Sequence, residues 1–265
     1  MDFSRAFKEI FGFFFKQELK AKRTRVFFLL SFLPILLVLI AKINEIRATY
    51  GEATSAQVFT QAVLIIYIQL LIPILALLFG SGIVNEEVDN KTLVFLTTSP
   101  IPKPSIITGK FAAYVLLGII IVNVGLFLCF LIVNINRLGK MVHVKEFFSF
   151  VGVGILGLVT YMALFTLLGT LLKKAGVVLG LLFIFGWENL VQYFPGITQK
   201  FTVIHWIKSL LPRGFRGTVF KALMFRLEPS STLESLVVLI IFVTAALVAA
   251  SLIFKNREYI LSETV

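Results

Sequence analysis

The side chains with catalytic range in this sequence are few, and their spacing limits what they can do. Glu86 and Glu87 are adjacent, Lys91 stands four residues after Glu87, Phe201 stands four before His205, and His143 is far from all of them. A carboxylate beside metal-binding imidazoles would suit metal-assisted peptide hydrolysis, but such a centre needs three or more protein ligands at compatible spacing. Two separated histidines do not supply them, so no metal is expected. An intramembrane metalloprotease built on Glu86-Glu87 and Phe201-xxx-His205 stays as an alternative. The single cysteine, Cys129, lies inside an apolar block, which fits a small buried hydrophobe and excludes an intramolecular disulfide. No Ser/His/Asp arrangement is evident. Nor is there a phosphate-binding loop, because Gly109-Lys110 is followed by Phe111 and Pro104 occupies the place of the first glycine.

The elements that would hold these residues belong to a membrane. Of 265 residues, 58% are hydrophobic and only 15% charged, and the mean hydropathy is +0.96. That leaves too little polar surface for a water-soluble globule. The net charge of +11 could suggest nucleic acid, but the basic residues flank apolar blocks and form no stripe, so lipid headgroups are the better match and no nucleic acid is expected.

Six apolar blocks approach the length that crosses a bilayer: Val26 to about Ile43, Val58 to Phe79, Ile106 to Val133, Phe147 to Leu172, Ala175 to about Val191 and Leu233 to Phe254. The fifth is interrupted by Glu188 and Asn189. The expected architecture is all-α and polytopic, a single domain over 1–265 with six transmembrane helices. Residues 1–25 form an interfacial amphipathic helix with Phe3, Phe7, Ile10, Phe11 and Phe14 on one face. Residues 192–232, rich in proline and glycine, suggest short re-entrant or interfacial helices before the sixth span. Ser231 to Glu234 reads as a capping box that starts the sixth span, and 255–265 is a tail. Gly176 and Gly180, with the glycines at 152, 154 and 157, are suited to close helix packing.

Seven Lys and Arg residues precede residue 26, while Lys42 and Arg47 follow the first block. The positive-inside rule then puts the N-terminus, and with six spans the C-terminus, in the cytoplasm, at the cell membrane. Few ionisable residues lie within the spans, which argues against an ion-coupled carrier. Gln61, Gln69, Asn123, Thr166 and Glu188 are the candidate lining of a translocation path, with Thr160 and Thr170 nearby. Interhelical hydrogen bonding is the plainer role for them.

The most distinctive stretch is Gly80 to Lys110, between the second and third spans. Glu86, Glu87 and Asp89 suit a helix N-terminus, Thr92 to Leu96 supply apolar contacts, and Pro100, Pro102 and Pro104 force an exit. Gly82, Glu86, Glu87, Thr92, Leu93, Leu96, Pro100, Ile101, Lys103, Gly109 and Lys110 resemble the motif of ABC-2 type transporter permeases, although Asn90-Lys91 stands where that family often has glycine. The resemblance implies that segment 81–105 is a coupling helix, with Glu86, Glu87, Thr92, Leu93, Leu96, Pro100 and Ile101 meeting a cytoplasmic ABC ATPase subunit. That partner would bind the ATP and Mg, and this chain would be no enzyme. The resemblance further implies a second permease copy or paralogue and transport outward. A channel or membrane scaffold of the same span count is the other alternative.

Overall fold

The computed structural model describes residues 3–47, 53–89, 102–137, 143–172, 176–191, 194, 196–211 and 229–256. Among them every regular element is helical. An apolar run in lipid can satisfy its backbone N–H and C=O groups only within itself, and the helix does that.

Helix α1 covers Phe3–Lys20. The first span follows as α2 (Lys22–Ser31) and α3 (Leu33–Arg47). The second comprises α4 (Ala53–Ala62), a π-helical stretch (Val63–Leu71) and α5 (Ile72–Asp89). Helix α6 (Lys103–Val133) is the third and α7 (Val144–Leu171) the fourth. The fifth comprises α8 (Gly176–Leu182), a second π-helical stretch (Phe183–Glu188) and α9 (Asn189–Val191). A 3-10 turn (Ile197–Phe201) and α10 (Val203–Ser209) lead toward α11 (Thr232–Asn256), the sixth.

Five of these spans are long and apolar enough to cross a membrane; Gly176–Val191 is shorter and ends where Glu188 and Asn189 interrupt its apolar run. The expected N-terminal helix is present as α1, and Ser231 caps the sixth span, with the Glu234 N–H donating to its Oγ at 3.2 Å while the Glu234 carboxylate lies 3.6 Å from Lys200. Part of the segment before α11 is helical, as α10. The segment 90–101, which contains five of the seven expected coupling residues, lies outside the described residues.

Helices α5, α6 and α7 form the centre of the bundle, with Phe79, Tyr114, Tyr161 and Phe165 fully buried among them. The first and sixth spans lie at the rim. Of their most apolar windows only 33% and 17% are buried, against 67% for the second span, so Leu29, Leu36, Ile40, Leu233, Ile240 and Ile241 face outward, as lipid requires. Gly180 packs on Leu77 of α5.

Prolines set the irregular turns. Pro34 has no N–H to give, and α2 ends at Ser31, three residues before it. The Ser31 carbonyl beside this break accepts a 2.7 Å hydrogen bond from the Tyr67 hydroxyl of the second span. Gly125 of α6 makes room, since a Cβ there would stand 2.6 Å from the Ser31 oxygen. Three spans therefore meet at one bond. Tyr67→Phe should destabilise the solubilised protein by about 1–3 kcal/mol, the cost of a buried acceptor left unpaired, read as a lower thermal midpoint in detergent.

Candidate functional site

Among the described residues, two groups of polar side chains contain expected site residues, apart from the buried Lys42–Glu45 pair of the first span. The larger begins with a problem of helix electrostatics. Glu86 and Glu87 lie in the last turn of α5 rather than the first turn of a following helix. The cause is local: between Ile72 and Asp89 no residue stops the helix after Pro73 in its first turn, and the next proline is Pro100. Two carboxylates at the negative end of a helix dipole repel it and each other, so the site is viable only with cations.

Arg23 and Lys110 supply them. The Arg23 guanidinium, in the first turn of α2, donates from both terminal nitrogens to Glu86, with Nη2 to Oε2 at 3.2 Å. It also grips Glu18 of α1, from Nε to Oε2 at 2.8 Å and with Nη2 2.7 Å from Oε1. Aromatic faces flank it, with the Phe79 and Tyr114 ring centres 4.9 and 5.3 Å away. Lys110 of α6 donates to Glu87 Oε1 at 2.9 Å, and its ammonium lies 4.4 Å from the Phe14 ring centre. The Tyr114 hydroxyl donates to Glu18 Oε1 at 3.3 Å. The network thus joins α1, the first span and both ends of the loop between the second and third.

Helix α1 is brought there by its sequence. Ala6, Ile10, Phe14 and Glu18 recur every four residues and form its buried stripe, while Phe7, Phe11 and Phe15 stack ring on ring beside it. Gly109 of α6 admits this stripe: a Cβ there would meet Ile10 Cγ2 at 2.8 Å. Glu18 is the residue that sequence reasoning missed, and a signal existed, because a carboxylate in register with an apolar stripe needs a buried partner.

Of the expected coupling residues, Glu86 and Glu87 enter this network, and Thr92, Leu93, Leu96, Pro100 and Ile101 lie outside the described residues. The carboxylates of Glu86 and Glu87 meet cations here, while the His205 ring, buried in α10, meets Ser230 Oγ at 3.2 Å.

The second group sits farther along the second span. Gln69 donates from Nε2 to Asn189 Oδ1 of the fifth span, and Lys208 of α10 donates to Gln69 Oε1 at 3.5 Å. Glu188, 3% exposed, accepts from the backbone N–H groups of Val203 and Ile204, both at 2.9 Å, and from the Tyr161 hydroxyl at 3.0 Å. It caps α10 from another span, which gives a buried carboxylate its donors and α10 its missing acceptors. The remaining path candidates are not drawn together. Asn123 donates to Ile119 O of its own helix at 2.8 Å, Thr166 to Met162 O at 2.7 Å, and Thr160 and Thr170 also bond within α7. Gln61 is half-buried in α4.

The two members of the Lys110–Glu87 pair are 0% and 12% exposed, so removing one leaves a dry charge. Lys110→Ala should cost about 3–5 kcal/mol, whereas Lys110→Met combined with Glu87→Leu should recover most of it. Thermal midpoints of the three proteins in one detergent measure this.

A comparison with curated proteins finds no match. The family model described as ABC-2 family transporter protein matches residues 14–259, a region that takes in all the spans, the Glu18–Arg23–Glu86 network and the Glu188 cap. The chain therefore belongs to the ABC-2 transporter family, as a multi-pass permease subunit of an ABC transporter.

Proposed function

We propose that this chain is the membrane half of an exporter, driven by a separate ABC ATPase subunit that docks on the segment around 81–105 and holds the ATP and Mg. The observation that carries this reading is the way the loop is tied at its base. Lys110 on α6 pairs with Glu87 on α5, and Arg23 binds Glu86 and Glu18 together. A push on residues 90–101 then reaches the second span, the third span, the first span and α1 at once. An untied loop would absorb the same displacement by bending.

The charge distribution supports the orientation. Seven Lys and Arg residues precede residue 26, which favours that end in the cytoplasm at the cell membrane. The second permease copy or paralogue that the family plan implies would pack against this bundle, and the apolar faces of the first and fifth spans suit either lipid or that copy. Transport outward rests on the family likeness. The chain's own part is mechanical: positioning, sealing and transmitting.

Glu86 is the member of the network best suited to a test, because at 34% side-chain exposure it is the least buried partner, and neutralising it leaves Arg23 still bonded to Glu18. Coexpression with a genomically neighbouring ATP-binding subunit should yield a complex that copurifies on one tag. In that complex Glu86→Gln should lower ATP hydrolysis about tenfold, the equivalent of one charge-assisted hydrogen bond, with assembly unchanged. An equal rate would reduce Glu86 to a solvated helix end. Failure to carry any ATP-binding subunit would remove the mechanism.

A further inference from the structure

The second polar group coincides with a departure from ordinary helix geometry that the proposed coupling does not use. Pro73 lacks an N–H, and its ring would press on the carbonyl of residue 69 in a regular α-helix. The second span answers with the wide stretch Val63–Leu71, closed by the Ile72 N–H bonding to Tyr67 O, five residues back. The fifth span has its own wide stretch, Phe183–Glu188. There Asn189 Nδ2 donates to Ile184 O at 2.8 Å, so a side chain fills the opened ladder.

One side-chain bond links the two stretches. Gln69 belongs to one, Asn189 ends the other, and their amides bond. Both residues are half-buried, on a face otherwise presenting Ile65, Leu70, Phe185 and Leu190. A polar pair there is costly against lipid and cheap against water or a second copy of the chain. Gln69 is seventeen positions from Glu86, about 25 Å along a helix, which sets it near the far side of a hydrocarbon core about 30 Å thick.

A π-helical turn holds one residue more than an α-turn of similar length, and such turns concentrate at functional sites. Rewinding one to α-helix would turn everything beyond it by about 100°. That rotation separates Gln69 from Asn189. Glu188 meanwhile fixes α10 to the fifth span and Tyr161 to both, so the fifth span and α10 would move as one piece. Lys208 bonds Gln69 from that piece.

We infer that the Gln69–Asn189 bond across the two π-helical stretches is the outer closure of the translocation path, and that the path opens there when either stretch rewinds. This rests on the permease reading above. The bond joins two neutral amides, with the Lys208 ammonium at its edge, in contrast to the ion pairs at the other end, so it is the part of the bundle built to part.

The test uses the assembled complex with its ATPase subunit in lipid nanodiscs, in a Cys129→Ala background that leaves no other thiol in this chain. Gln69→Cys and Asn189→Cys are bridged with a short bis-methanethiosulfonate linker, without nucleotide and after trapping with ATP and vanadate. The bridged fraction should differ about tenfold between the two states, the size of a two-state element changing its majority conformer. In the wild-type complex, amide hydrogen exchange over 63–71 and 183–188 should change on trapping, which needs no substitution. Equal bridging and equal exchange in both states, in a complex that hydrolyses ATP, would overturn this inference alone. A complex with no ATP hydrolysis would remove the ATPase-driven reading proposed above and this inference with it.

Discussion

The structure depends most on one guanidinium. Arg23 sits where the chain turns from α1 into the first span and holds Glu18 on one side and Glu86 on the other. Without it, two carboxylates would face each other beneath α5, one of them almost wholly buried. Glu18 is 5% exposed in its side chain, and a carboxylate so enclosed survives only with charged partners. The flanking rings of Phe79 and Tyr114 keep water away and hold the planar cation in place. The location of α1, the end of α5 and the start of α6 all follow from satisfying this arrangement and the Lys110–Glu87 pair beside it.

Stiffness is therefore distributed unevenly along the bundle. At the α1 end, ion pairs make separation expensive, about 3–5 kcal/mol where one partner of the buried Lys110–Glu87 pair is lost. At the α10 end, amide bonds between spans are worth about 1 kcal/mol each in a membrane, and the helices there are already wound away from the α form. In the proposed coupling, a force applied at the first end would pass along α5 and be taken up at the second. Tyr67 belongs to the wide stretch and also bonds the kink of the first span at Ser31, so the first span is linked to the same irregular region.

The spans were legible in the sequence because hydrocarbon thickness sets their length, and even the weak fifth block was marked by Glu188 and Asn189. The N-terminal helix and the start of α11 were legible for local reasons, a 3.6-residue stripe and a cap. The helix beginning at Glu86 was misread, since acidic residues favour helix starts and only the structure shows that α5 runs on to Asp89. The ion pairs were hidden by distance along the chain: Arg23 and Glu86 are 63 residues apart, and no periodicity links them. The π-helical stretches were hidden for a different reason, because Pro73 announces a disturbance but not whether the helix kinks, breaks or widens. Glu188 was legible as the charge that interrupts the fifth block, while two of its partners are backbone N–H groups of α10, which carry no side-chain signature.

The account stands on the claim that Arg23 and Glu86 act as one unit in passing motion from an ATPase subunit to the spans. A double-mutant cycle on ATP hydrolysis by the assembled complex tests this most directly, using Arg23→Gln, Glu86→Gln and the two together. The account predicts that the double variant loses little more activity than the worse single variant, because each change breaks the same link. Losses that multiply, as for independent sites, would contradict it.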